Sequence, residues 1–220
     1  IGLGGKGANP AVALARLGVA SALVGCVGAD DFGRRALEAL RQEGVDVSGL
    51  AMLPDADTGV ALIMVDDGGE NTILVVNGAN DRLTPEQVSR ALQPMWGDLR
   101  AILVNFEIPE AAVAAAVREG LAHGVPVVVD AGPPRRYAPE TWRGAAVLSP
   151  NEEEAKALLG YAVDDEASAW RAARDLLATG PQAVVLKLGA RGALLCTPQE
   201  ALHVPPFQVS VVDTTGAGDA

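Results

Sequence analysis

The chain contains 220 residues, of which 49% are hydrophobic and 20% charged, a composition typical of globular domains with a sizeable buried core. Its formal net charge of −11, without an extended run of Lys or Arg, excludes nucleic acid and anionic membranes as expected partners. The apolar runs, such as residues 101–104, are too short to cross a bilayer. Cys26 and Cys196 lie in separate apolar runs, which favours buried reduced thiols and therefore a cytoplasmic protein.

A glycine-rich segment opens the chain and leads into the first predicted helix, residues 10–17, which has Pro in its first turn and Gly at its end. Residues 2–7 match the dinucleotide-binding pattern G-x-G-x-x-G, and Asp30 lies at a spacing suited to binding a ribose. A second interpretation is that the glycines bring the backbone close to a sugar, with Lys6 and Asn9 donating to its hydroxyls. A third is that Asn9 simply caps the helix.

A hairpin interrupts the alternation of strands and helices that follows. After a predicted strand at residues 21–27 and a helix at 31–43, residues 58–65 and 71–76 form two predicted strands around a Gly-rich turn. The hairpin, approximately residues 58–76, is expected to be a lid that covers a ligand site and excludes water. The alternative is an edge hairpin of the main sheet.

Apolar strands then alternate with helices from Thr84 onward, where a capping-box pattern begins a helix. Such alternation predicts an α/β fold with a parallel sheet covered on both faces, built as a single domain over residues 1–220. The predicted strands are 101–104, 125–129, 145–148 and 183–188, and the predicted helices are 109–123, 152–159 and 166–178.

Polar residues follow each of these strands. In open α/β sheets ligands bind beyond the carboxyl ends of the strands, so we expect these side chains to converge on one crevice rather than to serve only as helix caps. Along the chain these positions are Asn105 and Glu107, then Asp130, then Asn151 and Glu154, then Lys187 and Gly189. Asp213 and Asp219 follow a further predicted strand at the end of the chain.

The last stretch of the chain carries the most specific chemistry. A predicted strand at 209–212 delivers Asp213 to a glycine-containing turn, residues 216–218, that opens a helix and can bind a phosphate. Asp219 at the mouth of this turn is suited to accept a proton from a hydroxyl that attacks a phosphoryl group. The alternative is that Asp219 only caps the helix.

Residues 4–13 and 213–220 resemble the two signature motifs of the ribokinase-like (PfkB) carbohydrate kinases, and most closely those of the ribokinase branch. The intervening segments 58–61, 77–80, 150–154 and 188–192 fall in the family's order, so the resemblance covers essentially the whole chain. It implies a three-layer, parallel-sheet ribokinase-like fold with a small β-hairpin lid. It also implies ATP-dependent phosphorylation of a sugar primary hydroxyl, with D-ribose favoured by the Gly-Gly-Lys-Gly-Ala-Asn run.

The resemblance further implies roles for individual residues. Sugar contacts fall to Gly5, Lys6, Asn9 and Glu107, and nucleotide contacts to Asn151, Lys187 and Gly189. Glu154 serves Mg²⁺ through water, while Asp213 and Thr215 help to hold K⁺. Gly216, Ala217 and Gly218 form an anion hole, and Asp219 is the catalytic base. The lid sheet is expected to pair two subunits into a homodimer.

Alternatives to ribose are fructose, 2-keto-3-deoxygluconate and a nucleoside, and a nicotinamide-dependent dehydrogenase using residues 2–7 is a competing activity. No G-x-x-x-x-G-K-[ST] pattern is present, so the phosphate is assigned to the last glycine-rich turn. The chain starts without Met and stops one residue after Asp219, so it is expected to be an inactive fragment lacking both ends.

Overall fold

The computed structural model describes residues 2–65 and 71–209. The chain divides into two compact units. The first contains the described residues up to Thr84 together with Glu107–Pro109, and the second contains Pro85–Phe106 and the described residues from Glu110 onward. The prediction that residues 1–220 form a single domain stays a prediction.

The first unit consists of two helices, a short parallel strand pair and an antiparallel hairpin. Apolar side chains of both helices pack on the parallel pair and form one buried core, centred on Val27, Leu37 and Leu40. Gly18, with a φ of +80°, follows the first helix and lets the chain reverse there. The elements are α1 (Ala8–Arg16), β1 (Gly25–Gly28), α2 (Asp31–Gln42), β2 (Leu50–Leu53), β3 (Val60–Val65) and β4 (Asn71–Val76).

The second unit is built on a six-stranded sheet in the order β10-β9-β8-β7-β6-β5. The four strands β5 to β8 run parallel to one another, β9 pairs antiparallel with β8, and β10 pairs antiparallel with β9. The strands are β5 (Ile102–Asn105), β6 (Val127–Asp130), β7 (Val147–Ser149), β8 (Val184–Lys187), β9 (Ala193–Cys196) and β10 (Ala201–Val204). The helices are α3 (Pro85–Leu92), α4 (Glu110–His123), α5 (Glu152–Leu159) and α6 (Glu166–Ala178).

The predicted α/β fold with a mainly parallel sheet is confirmed, as is the antiparallel pairing of the two strands predicted for the hairpin, whose turn lies outside the described residues. Two local predictions are wrong. The strand expected at 21–27 is reduced to Gly25–Gly28, preceded by an isolated parallel bridge between Ala22 and Asp46. Asn9 does not cap α1, because the helix begins at Ala8 and its capping position is Gly7, which has no side chain to accept a hydrogen bond.

Candidate active site

The glycine-rich segment before α1 lies against Glu107. The backbone N–H of Lys6 donates a 3.2 Å hydrogen bond to Oε2 of Glu107. Gly5 has a φ of +115°, and a Cβ placed there would lie 4.0 Å from the same carboxylate oxygen. The N–H of Asn9 donates to the carbonyl of Gly5 at 2.9 Å, which fixes the turn into the helix. Four residues predicted to bind sugar therefore lie together in the first unit.

This arrangement suits a polyhydroxyl ligand. A carboxylate with four lone-pair directions retains acceptor capacity after binding one backbone N–H. Glycine at position 5 allows a ligand to approach the backbone closely, and its φ lies in the left-handed region that favours glycine. The cluster pairs a half-buried acceptor, Glu107, with donors from Lys6 and Asn9 on the facing segment.

The second unit contains a capping box at the start of α5. The side chain of Asn151 accepts from the N–H of Glu154 at 2.9 Å, and Oε2 of Glu154 accepts from the N–H of Asn151 at 2.7 Å. These reciprocal bonds satisfy two backbone donors that no helical carbonyl can reach. They also hold Glu154 in a buried position, with only 3% of the residue exposed.

Lys187, the last residue of β8, joins this capping box to the end of β6. Its backbone N–H donates to the carbonyl of Pro150 at 2.8 Å, just before Asn151. Its ammonium lies 2.6 Å from Oδ1 of Asp130 and 3.8 Å from Oε2 of Glu154. Since β7 separates β6 from β8 in the sheet, the lysine side chain spans one strand to reach Asp130.

An open cleft of about 530 Å³ lies beside these residues. All three residues predicted to bind ATP line it, and its volume lies within the range of small-molecule sites, roughly 300–1,000 Å³. Gly189 has a φ of +54° and open space where a Cβ would be, so backbone is presented to the cleft. The lining residues are Asn151, Glu152, Glu153, Val163, Asp164, Lys187 and Gly189.

A second cavity of similar volume lies along α3 and α4, lined by Pro85, Glu86, Ser89, Arg90, Gln93, Arg118 and Glu119. None of the residues predicted to carry function lines it. The two cavities have similar volumes, so volume does not identify the functional one. The polar residues at the strand ends favour the cleft at Lys187.

Asp30 has a structural position rather than the ribose-binding one that the dinucleotide pattern requires. Its carboxylate accepts from the N–H of Gly33, capping α2, and from both the N–H and the hydroxyl of Thr58. The Thr58 hydroxyl, then the Thr58 and Gly33 backbone donors, lower the pKa of Asp30 to about 2. Asp30 therefore ties the β1–α2 turn to Thr58, two residues before β3 begins.

The residues predicted for the anion hole, the base and the K⁺ site lie outside the described residues. They are Gly216, Ala217, Gly218, Asp219, Asp213 and Thr215. Within residues 2–65 and 71–209, no group of three or more His, Cys, Asp or Glu side chains could hold a metal ion. No helix in the same ranges is long and apolar enough to cross a membrane.

A family model described as pfkB family carbohydrate kinase matches residues 1–220. A ribokinase from Haemophilus influenzae is 36% identical over 219 residues, which cover this whole chain and 71% of that protein. A deoxyribokinase from Salmonella typhi is 35% identical over 221 residues, which cover this whole chain and 72% of that protein. A bifunctional ribokinase/ribose-5-phosphate isomerase A from Fructilactobacillus sanfranciscensis is 34% identical, and the chain spans only 40% of it.

Solved structures share the fold. Arabidopsis thaliana ribokinase, in a structure complexed with ribose and ATP, matches with a TM-score of 0.85 and 30% sequence identity. The match covers 98% of this chain and 71% of that one. The strand order and the helices described above are therefore those of a known kinase architecture.

Proposed function

Because the chain belongs to the pfkB family of carbohydrate kinases, we propose that its parent enzyme transfers the γ-phosphoryl group of ATP to the primary hydroxyl of D-ribose. The observation that carries this proposal is the contact of Glu107 with the Lys6 backbone beside Gly5. Glu107 provides a hydrogen-bond acceptor for a sugar hydroxyl, and Gly5 lets the sugar approach the backbone closely in the same unit.

Sugar binding is assigned to Gly5, Lys6, Asn9 and Glu107. The Glu107 carboxylate accepts a hydrogen bond from a sugar hydroxyl while it continues to accept the Lys6 N–H, so ligand and loop are held together. Lys6 and Asn9 donate to further hydroxyls from the facing segment. Such contacts orient the primary hydroxyl and lower the entropic part of the barrier.

Nucleotide binding is assigned to Asn151, Lys187 and Gly189, which line one cleft. The Lys187 ammonium lies at the cleft wall and meets phosphate oxygens, while Gly189 presents backbone without a side chain. Mg²⁺ bound to the nucleotide neutralises charge on the transferring phosphoryl group. The buried carboxylate of Glu154 fits this ion as an acceptor for one of its waters, since Mg²⁺ usually keeps several waters.

Chemistry at the sugar hydroxyl is assigned to the last glycine-containing turn. Asp219 takes the hydroxyl proton as the oxygen attacks the γ-phosphorus and the bond from that phosphorus to the β,γ-bridging oxygen breaks, which releases ADP. Backbone donors of Gly216, Ala217 and Gly218 stabilise the negative charge on the transferred phosphoryl oxygens. Asp213 and Thr215 are assigned to a K⁺ ion beside this turn, so the parent enzyme should be faster in K⁺ than in a large organic cation.

A substrate panel on the complete protein tests the proposal. D-ribose should give the highest kcat/KM among ribose, fructose, 2-keto-3-deoxygluconate and a nucleoside. Glu107→Gln should lower kcat/KM for ribose about 10-fold or more, because a hydrogen bond to a charged acceptor contributes about 1.5–3 kcal/mol. Glu166→Gln, which removes an exposed carboxylate from the first turn of α6, is the matched control. Best turnover of a nucleoside would overturn the substrate assignment.

A second candidate substrate is 2-deoxy-D-ribose, favoured by the 35% identity to a deoxyribokinase, which is close to the 36% shared with the Haemophilus influenzae ribokinase. The two pentoses differ in one hydroxyl. A site built to bind that hydroxyl discriminates strongly against its absence, whereas a site that ignores it accepts both sugars. The ratio of the two kcat/KM values therefore decides between them.

The hairpin is proposed as the contact between two copies of the parent enzyme. Leu62 and Leu74 are directly paired across β3 and β4, and both are more than half exposed, at 57% and 56%. An apolar sheet face of this kind marks an interaction surface. Leu62→Asp should shift the parent enzyme from dimer to monomer in sedimentation analysis. Since Cys26 and Cys196 are buried thiols outside any disulfide, we also assign the enzyme to the cytoplasm.

A further inference from the structure

The ammonium of Lys187 has two carboxylate neighbours that differ in distance. It is hydrogen-bonded to Asp130 at 2.6 Å, whereas the nearest oxygen of Glu154 lies at 3.8 Å, beyond hydrogen-bond length. The side chains of Lys187 and Asp130 are 28% and 25% exposed, and that of Glu154 is 4% exposed. The Lys187–Asp130 pair is therefore partly shielded from water at the edge of the cleft.

The two carboxylates also differ in what else they hold. Oε2 of Glu154 accepts the Asn151 N–H at 2.7 Å, so its position is set by the capping box of α5. Asp130 is the last residue of β6, and its backbone is held in register with Ser149 of β7. Asp130 therefore offers the ammonium a partner on the backbone of the sheet, whereas Glu154 belongs to the start of α5.

A lysine side chain has a flexible four-carbon stem, so its charged end takes one position only when a partner fixes it. The cleft contains competing partners, because Glu152, Glu153 and Asp164 also line it. Glu152 is paired with Arg191, and Glu153 with Lys156. Without Asp130, the nearest remaining carboxylate to the Lys187 ammonium in the described residues is Glu154.

We propose that Asp130 is a positioning residue, which holds the Lys187 ammonium where it meets the phosphate oxygens of the nucleotide. The inference rests on the proposed ATP site at Asn151, Lys187 and Gly189. Asp130 does not itself bind the nucleotide, because a carboxylate facing a polyphosphate would repel it. Asp130 acts on ATP binding only through Lys187. The direction in which KM for ATP changes when Asp130 is replaced therefore distinguishes positioning of Lys187 from a simple charge effect.

The test is Asp130→Asn in the complete protein, a change that keeps size and a hydrogen-bond acceptor but removes the charge. If Asp130 positions Lys187, the ammonium shifts towards Glu154 and KM for ATP rises about 10-fold, the effect expected when a charged acceptor is replaced by a weaker neutral one. KM for ribose stays unchanged. If Asp130 acts only as a negative charge, KM for ATP falls, which would overturn the proposal.

Glu153→Gln is the charge-matched control. It removes one negative charge from the same cleft, and its carboxylate contacts Lys156 rather than Lys187. It should lower KM for ATP slightly. An equal rise in KM for ATP in Glu153→Gln and Asp130→Asn would contradict positioning, because only one of the two residues touches Lys187.

A double-mutant cycle adds a second readout. Lys187→Met should weaken ATP binding in the parent, and adding Asp130→Asn to it should cause no further loss, because the two residues act as one unit. If the double variant bound ATP more weakly than Lys187→Met by the full factor that Asp130→Asn causes alone, the two residues would act independently and the proposal would be overturned. If Asp130→Asn does not fold, Asp130→Glu retains the charge, displaces it by one methylene and should raise KM for ATP by a smaller factor.

Calorimetric titration with ATP in the absence of sugar separates this inference from the proposed function. A parent that binds ATP but phosphorylates no sugar contradicts the function, and weaker ATP binding by Asp130→Asn would still support positioning. A parent that phosphorylates ribose, with Asp130→Asn binding ATP as tightly as the parent, contradicts positioning alone. A fall in melting temperature accompanied by equal rises in KM for ribose and ATP would indicate a purely structural role and overturn the inference.

Discussion

Replacing Glu154 with Gln should destabilise the second unit, although the two side chains have nearly the same shape. Glu154 is buried, and its carboxylate accepts the Asn151 N–H at 2.7 Å with the Lys187 ammonium 3.8 Å away. A glutamine can keep the hydrogen bond to Asn151 with its amide oxygen. Its NH₂ group and the ammonium of Lys187 are then both donors, so the favourable charge interaction is lost.

The size of the effect follows from these contacts. A hydrogen bond to a charged group contributes about 1.5–3 kcal/mol and a neutral one about 0.5–1.5 kcal/mol, so the exchange should cost about 1–2 kcal/mol. Removing a negative charge from the first turn of a helix costs a further 0.3–1 kcal/mol, roughly, through the helix dipole. In a protein of this size about 1 kcal/mol corresponds to roughly 2–4 °C in melting temperature.

Glu153→Gln provides the matched comparison, because Glu153 lies in the same helical turn and its side chain is 72% exposed. Its pair with Lys156 is a surface ion pair, which typically contributes about 0–1 kcal/mol. Both variants lose the same helix-dipole interaction. The difference between their melting temperatures, measured by calorimetry without ATP or Mg²⁺, therefore reports the buried contacts of Glu154 less the small contribution of the Glu153–Lys156 pair.

We expect Glu154→Gln to melt roughly 2–8 °C below Glu153→Gln. Equal melting temperatures at neutral pH would refute the reasoning, because they would show that the capping box and Lys187 do not depend on the charge of Glu154.

Three further predictions concern other parts of the chain. Since the folded pKa of Asp30 is lowered to about 2, its charge stabilises the fold above the ordinary carboxyl pKa near 4, and this contribution is lost as the pH falls through 2. Urea unfolding of Asp30→Asn should therefore be less pH-dependent between about pH 4 and 2 than that of the parent, and parallel curves would contradict this. Gly33→Ala should lower the melting temperature by at least about 2 °C, because its Cβ would lie 2.1 Å from the carbonyl oxygen of Gly28, whereas Gly97→Ala meets open space and should not. Asp219→Ala in the parent enzyme should reduce kcat by about 10²–10⁴-fold with little change in melting temperature, and near-normal turnover would reject Asp219 as the base.

Much of the fold could be predicted from the sequence, because its signals are local. The helices at 110–123 and 152–159 have strong helix formers and clear starts, and the structure places them within one residue of the predicted bounds. The antiparallel strands β9 and β10 were not predicted. Each is only four residues long, and β10 is exposed along its whole length, so it has no buried face to give an alternating apolar pattern.

The candidate site shows the same division between local and long-range information. The rule that polar residues after parallel strands share one edge correctly brought Asp130, Asn151 and Lys187 together. It could not show that Lys187 reaches across β7 to Asp130, because that contact joins residues 57 positions apart and depends on the strand order.

Asp30 illustrates the opposite failure. Its spacing from the glycines fits a ribose-binding acid, but its partners are Thr58, 28 residues later, and the first turn of α2. The spacing of a motif indicates which residues can lie close together within one local segment. The role of a carboxylate depends instead on which hydrogen-bond donors contact it in the folded protein. Three donors of the chain itself contact the Asp30 carboxylate, and the tertiary fold brings two of them, both from Thr58, to it.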